Sequence, residues 1–431
     1  MAKAFISLFS VPSRRSKGED SSTSENNAVS SYNDPNQEPE PDNSVEEVDP
    51  DKLEHDEGVV KGIGAQALEV MAASGICLSS NELACARRIM TNVAGLARRV
   101  NDSAALMDEF ERLVDSDPSL KGDSKVLARR IATRWNTDHT ALKSHLNFKT
   151  QVQLLTNNAS LKLRKHALNS EQWDLARELC QVLAIFEETT NLFSKKEVPL
   201  IHEVIPIMLT LRSRLYDVRD DILNQGLHPI TRVAAQAALF VWDKYMGATL
   251  EQSDIYLIAV DRKLKWFAER SEFDVDRIHR RVVERFISRD PSQPESSLSH
   301  QPLDNGNIWT QRHTSSAASP PQLERDSMTE YLSTSVENSA FIAQSGGVLG
   351  YWSSRLAQRP RVARFALDFL TAPASSVDAE RAFSCGRLMV NHLQHQMSTR
   401  SFQAQMAVGS WYGTSLLPSL DDVAKKLEKH M

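Results

Sequence analysis

The chain has 431 residues, of which 41% are hydrophobic and 16 are glycine, and its formal net charge is −6. This length is enough for two or three domains with cores of their own, and the shortage of glycine favours helices. No apolar run approaches the length that crosses a bilayer. The four cysteines are scattered and form no C-x-x-C pair, so we expect neither a disulfide framework nor a zinc finger.

The charge is distributed unevenly along the chain. Residues 18–58 contain 14 acidic residues and one lysine, whereas residues 1–17 carry four basic residues and no acid. Because residues 1–58 are rich in Ser, Asn, Pro and acids, they are predicted to form a disordered acidic tail. Residues 59–431 contain 45 basic and 42 acidic residues, a net charge of +3 that permits nucleic-acid binding without requiring it.

Beyond the tail, apolar residues recur at steps of three and four, which predicts helices. Stripes of this kind lie within residues 173–193, 233–245 and 275–286. Residues 126–135 could contain one short strand. The Ser- and Pro-rich residues 288–325 are predicted to be a disordered linker.

The C-terminal part carries the sharpest local signals. An apolar stripe at 362–369 predicts a helix that Pro373 ends. Ser375 and Asp378 then have the spacing of a capping box, which predicts the start of another helix. Glu380 lies beside the apolar face of that helix and is either a paired, half-buried acid or a functional carboxylate.

Several segments resemble one protein family. Residues 375–391 (SSVDAERAFSCGRLMVN) resemble the C-terminal signature of the DNA transposases of the hAT superfamily, the hobo–Activator type. Residues 351–374 are similar to the Trp, Pro and A-x-x-x-L part of the family's dimerisation region. Residues 132–138 (ATRWNTD) are similar to its R-W-N-S element, and residues 171–194 resemble a helix of its inserted all-helical domain.

The resemblance, strongest to fungal members, implies a mainly α protein that is truncated at its N-terminus. It would be a remnant of an RNase H-like core that carries a large all-helical insertion and a C-terminal helical dimerisation region. The predicted divisions are a disordered acidic tail at 1–58, a helical remnant of the core with at most one short strand at 59–135, the insertion at 136–287, the disordered linker at 288–325 and the dimerisation region at 326–431.

The resemblance also implies that the catalytic site of the family is incomplete in this chain. Active members hold two divalent metals with two Asp and one Glu, because two hard cations need several converging oxygen ligands. Glu380 matches the third carboxylate. The family's two Asp lie upstream of the R-W element, where the acids of this chain stand in helix-like or turn-like sequence: Asp102, Asp108, Asp115, Asp117 and Asp123. We therefore expect no enzyme activity, no metal and no cofactor, with Mg²⁺ relevant only to an intact triad.

DNA-binding residues follow from the same resemblance and from charge. Trp135 matches the family's Trp, which is placed to stack on an unpaired base; packing in the core is the alternative reading. Arg134 would then lie near a backbone phosphate. Arg277, Arg281 and Arg285 recur at four-residue steps and form either a phosphate-contacting face or a solvated helix face.

The C-terminal apolar residues are either a dimer contact or an ordinary internal core: Phe365, Phe369, Phe383, Met406 and Trp411. A self-complementary interface is the commonest oligomer solution, so we expect a homodimer. The sequence predicts a nuclear, transposase-derived protein that is catalytically inactive, dimerises and binds DNA weakly, with no membrane or small-molecule partner. The alternatives are a helical protein-interaction scaffold without DNA function and an active Mg²⁺-dependent transposase or nuclease.

Overall fold

The computed structural model describes residues 1–10, 50–120, 125–131, 134–195, 200–223, 225–259, 264–289, 326–377 and 398–411. The chain divides into two compact units, here called unit 1 (residues 1–190 and 205–257) and unit 2 (residues 191–204 and 258–431). All regular structure in the described ranges is helical, with no strand among them, which confirms the mainly α prediction.

Seventeen α-helices are described, numbered here in chain order. They are α1 Ala2–Ile6, α2 Pro50–Ala73, α3 Ser80–Asn101, α4 Ala104–Asp115, α5 Trp135–Asn147, α6 Lys149–Asn157, α7 Ser170–Phe193, α8 Val204–Asp220, α9 Pro229–Gln252, α10 Asp254–Ala259, α11 Lys265–Ala268, α12 Val275–Arg289, α13 Met328–Ser333, α14 Ser339–Gln344, α15 Gly347–Arg355, α16 Pro360–Leu370 and α17 Thr399–Trp411. None of these helices is long and apolar enough to span a bilayer.

The longest predicted helices form where their periodicity placed them. The stripe at 173–193 lies on α7, and the stripes at 233–245 and 275–286 lie on α9 and α12. Helix α9 begins with Pro229 in its first turn, where a missing backbone N–H costs nothing. The Nδ1 atom of His228 caps that turn by accepting from the Ile230 N–H at 3.2 Å.

The N-terminal segment departs from the predicted disordered tail. Residues 2–9 form α1 and the 3₁₀ turn Ser7–Phe9, which pack against α2, α3 and α9 of unit 1. Phe5 and Phe9 are completely buried. The apolar residues of this short segment therefore bury enough surface to order it. Helix α2 likewise begins at Pro50, inside the predicted tail, and residues 11–49 lie outside the described residues.

The expected short strand at 126–135 does not form in the described part of that segment. Residues 125–131 carry no regular structure, and side chains satisfy their backbone groups in place of a strand partner. The Asn101 amide donates to the Leu127 carbonyl at 2.8 Å, and the Ala128 N–H donates to Ser144 Oγ at 3.0 Å. The Ile131 N–H donates to Thr137 Oγ1 at 2.8 Å. These bonds tie the segment to α3 and α5.

The predicted domain boundary between residues 135 and 136 lies inside unit 1. Helix α5, which spans that boundary, packs against α3. The predicted linker at 288–325 overlaps the last two residues of α12, which ends at Arg289. Its residues 290–325 lie outside the described residues.

Two buried histidines lie close together in the core of unit 1. His145 Nδ1 is hydrogen-bonded to the Ala141 carbonyl at 3.2 Å, while its Nε2 and both ring nitrogens of His166 have no hydrogen-bond partner in the described parts of the chain. The His166 ring lies directly on Gly95 of α3, where a Cβ atom would be 2.5 Å from His166 Cε1. Glycine at this position therefore makes room for the imidazole.

Gly95→Ala is expected to lower the free energy of unfolding of unit 1 by about 1–2 kcal/mol, because overpacking a core outweighs the helix-propensity gain. Gly62→Ala is the matched control, since Gly62 lies on α2 and nothing comes within 4 Å of its added Cβ. That control should raise the free energy of unfolding by about 0.5–1 kcal/mol. Urea unfolding followed by circular dichroism measures both, and equal shifts of the same sign would contradict the close packing.

Candidate DNA interface and dimerisation region

Trp135 begins α5 and packs partly into the core of unit 1. Its ring meets Phe186 edge to face, with centroids 6.1 Å apart, and Phe186 in turn lies 6.1 Å from Phe5. The indole is half-buried and Arg134, the N-cap residue of α5, is exposed. Part of the indole ring therefore packs in the core, which was the alternative to DNA stacking. Its stacking on a DNA base stays a prediction.

A buried ion pair fixes the start of α5. Arg130 Nε donates to the Asp138 carboxylate, and Asp138 is 3% exposed. Burial raises the pKa of Asp138, while the Arg130 charge opposes that rise. Thr137 Oγ1 adds a hydrogen bond to the Arg134 carbonyl at 2.7 Å. The geometry around Arg134 and Trp135 is thus set by neighbouring polar side chains.

The arginine stripe of α12 lies in unit 2. Arg277 and Arg285 are exposed and Arg281 is half-buried, while Ile278, Val282 and Phe286 on the other face are buried. The amphipathic pattern is therefore the one that the sequence predicted. Whether the exposed face binds phosphate stays a prediction.

Helix α16 is held by a buried carboxylate and an aromatic core. Asp326 is 2% exposed and accepts from the Arg361 and Val362 N–H groups at 2.6 and 3.1 Å, so it caps the first turn of the helix. The Phe365 ring packs on Phe286 at 5.3 Å and on Phe369 at 4.7 Å. These contacts join α12 to α16 inside unit 2.

The predicted dimerisation residues fall into two groups. Phe365 and Phe369 are buried within unit 2 itself, so they are core residues of the single chain. On α17, Met406 is half-buried and Trp411 is 43% exposed. Val408, which sequence reasoning missed, is 51% exposed and lies three residues before Trp411 on the same face. That i, i+3 spacing was a signal in the sequence.

The predicted catalytic residue Glu380 and the aromatic Phe383 lie outside the described residues. Three of the upstream acids are engaged locally, and Asp123 lies outside the described residues. Asp102 pairs with Arg129, Asp115 pairs with Lys125 at 2.6 Å, and Asp117 accepts from Ser119 and Gln151. No group of three or more His, Cys, Asp or Glu side chains within the described ranges is arranged to hold a metal ion.

Comparisons with known proteins identify two regions of the chain. Residues 328–412 match the hAT family C-terminal dimerisation region, and residues 64–182 match the ZBED1 RNase-like helical domain. The fold and these two regions define a helical, transposase-related protein. More particularly, the chain is related to the transposases of the hAT superfamily.

Full-length relatives support this assignment. Two Zea mays proteins that carry the names of the AC and AC9 transposases are each 22% identical, over 68% and 43% of this chain and over 37% and 22% of their own lengths. The human zinc finger BED domain-containing protein 4 is 20% identical over 72% of this chain and 27% of its own length. The chain therefore spans well under half the length of the relatives it matches.

Proposed function

We propose that this chain is a nuclear, transposase-derived protein that forms homodimers through its C-terminal region and contacts DNA without cleaving it. The observation that carries the proposal is the match of residues 328–412 to the hAT dimerisation region, where α17 presents Val408 and Trp411 to solvent. Exposed large apolar side chains on one helix face are typical of a protein contact surface.

The contacts of three upstream acids support the proposed absence of DNA cleavage. Transfer of a DNA strand by two metals needs carboxylates that converge on one point. Asp102 and Asp115 are paired with neighbouring basic side chains, and Asp117 accepts hydrogen bonds inside a turn. Acids committed to separate local contacts do not converge, so we expect no metal or cofactor requirement.

The expected solution mass is twice the 48.3 kDa chain mass, because an apolar α17 face gains stability when a second copy covers it. Size exclusion with light scattering measures this directly. Val408→Asp places a charge in the proposed contact and should shift the protein to monomer. Leu154→Asp is the matched control, since Leu154 is 54% exposed in unit 1 and should leave the dimer intact.

A monomeric wild-type protein would contradict the dimer proposal, and equal effects of both variants would contradict the assignment of its surface. DNA binding is tested separately on the same preparations. Dimers that are indifferent to DNA would favour the second candidate, a helical interaction scaffold. The net acidic residues 18–58 support that second candidate, since they oppose the approach of DNA.

A further inference from the structure

Two segments of unit 1 contain basic residues without any acid. Helix α3 carries four arginines between Glu82 and Asp102, and residues 139–170 carry five basic residues and no Asp or Glu. Both segments lie within the part of the chain that matches the ZBED1 RNase-like helical domain. Local acids therefore do not neutralise either segment along the sequence.

Tertiary packing brings these two segments together. The Asn92 amide donates to the Ala167 carbonyl at 3.3 Å, and Gly95 lies against the His166 ring. Both residues share one face of α3 with Arg88 and Arg99, at steps of i, i+4, i+7 and i+11. The 3₁₀ turn at 164–166 therefore sits over the middle of this face, with an exposed arginine toward each end about 16 Å apart along the helix.

The turn itself points its charges outward. Leu163 and His166 are buried and anchor it, whereas Lys162, Arg164 and Lys165 are exposed. Lys162 adopts a left-handed conformation with φ of 52°, which ends the preceding 3₁₀ turn. The electrostatic influence of Lys165 and Arg99 on His166 places both charges near that ring.

We define the basic turn surface as five exposed residues, namely Arg88, Arg99, Lys162, Arg164 and Lys165. Within the described part of the chain, none of the five forms an ion pair. Two other exposed arginines of unit 1 are paired: Arg112 with Glu109 at 2.7 Å and Arg177 with Asp174 at 2.9 Å. Like charges that share a surface and form no ion pairs raise the local positive potential and favour a polyanion.

We propose that the basic turn surface binds the phosphate backbone of double-stranded DNA. This inference rests on the proposed DNA contact and assigns it to residues of unit 1, whereas the arginine stripe that the sequence pattern singled out is on α12 of unit 2. The contact would be insensitive to base sequence, because it consists of long, flexible cationic side chains without a groove-reading element. Each phosphate neutralised would release a counterion and make binding depend on salt.

The test uses the full chain and a fluorescently labelled DNA duplex, with affinity measured by anisotropy between about 50 and 200 mM salt. The double variant Arg164→Ala/Lys165→Ala should bind at least about tenfold more weakly at low salt. Its slope of log affinity against log salt should fall by about two, because the variant lacks two cations that each neutralise one phosphate. The side chains are exposed, so the melting curve should match that of the wild type.

Arg112→Ala/Arg177→Ala is the matched control, because it removes the same charge from paired arginines of the same unit. It should bind DNA as the wild type does. Wild-type binding that the Arg164/Lys165 variant leaves unchanged, or that the control weakens equally, would overturn the basic turn surface while leaving the proposed function standing. A wild-type chain that fails to bind DNA at low salt would overturn both.

Discussion

Phe5→Ala is expected to lower the free energy of unfolding of unit 1 by about 3–5 kcal/mol, the usual cost of emptying a buried aromatic site. The ring is fully buried and lies 5.9 Å from the Phe9 ring and 6.1 Å from the Phe186 ring. Because Phe186 also contacts Trp135, the cavity should alter the environment of the candidate base-stacking residue.

Chemical unfolding monitored by far-ultraviolet circular dichroism and by tryptophan fluorescence measures the change, with each unit treated as a separate transition. Lys3→Ala is the control on the same helix, since Lys3 is exposed and its removal should shift stability by no more than about 0.5 kcal/mol. A decrease below about 1 kcal/mol for Phe5→Ala would mean that α1 does not belong to the folded core.

The long helices were predictable because each buries a continuous stripe. On α7 the residues Leu179, Leu183 and Phe186 recur at steps of four and three, close to whole helical turns, and are all buried. A pattern repeated over several turns specifies both the element and its inner face. The sequence therefore determined these helices without reference to their partners.

The N-terminal segment was not predictable by the same reasoning. Residues 2–9 are too short to show a period, and the polar, acidic residues that follow dominate any composition window. What orders the segment is the hydrophobic surface offered by α2, α3 and α9, which comes from distant parts of the chain. Tertiary burial of this kind leaves no local signature.

The candidate sites also differ in whether the sequence alone could reveal them. The Arg277, Arg281 and Arg285 stripe was visible because one helix carries it. The basic turn surface was missed because its charges come from two segments that the Asn92 hydrogen bond and the Gly95 packing bring together. An acid-free stretch from 139 to 170 was a readable signal, but its partner on α3 was not.

Lowering the pH from 6.5 toward 4 is expected to destabilise unit 1 strongly. Burial lowers the pKa of His145 and of His166 to about 4, from an ordinary value of 6.5. The charges of Lys165 and Arg99 lower the pKa of His166 further, whereas the hydrogen bond to the Ala141 carbonyl partly opposes the effect of burial on His145. Between those values the unfolded chain binds protons that the folded chain excludes, so the folded state loses stability as the pH falls. Each histidine contributes up to about 3 kcal/mol of stability at neutral pH that is lost by pH 4.

Urea unfolding at successive pH values tests this expectation, and the steepest decrease should lie between pH 6 and 4.5, within the window set by the two pKa values. His145→Gln/His166→Gln removes both titrating groups and should flatten the dependence. His279→Gln, a half-buried histidine of α12 in unit 2, should leave it unchanged. Because the double variant could itself fold poorly, NMR titration of the wild-type imidazole C–H signals gives an independent readout.

Carboxylates do not account for the same window. The pKa values of Glu82, Glu109 and Asp117 are lowered from 4.5 or 3.8 by hydrogen bonds, so those groups lose their stabilising charge only at more acidic pH. The buried amino group of Met1 also destabilises unit 1 on acidification, but its pKa of about 6 places most of that loss above pH 6. The part of the loss between pH 6 and 4.5 that the double histidine variant removes is therefore the part due to the histidines. Wild-type imidazole signals that titrate near 6.5 would show that water reaches both rings, and the close packing of His166 on Gly95 would then be wrong as well.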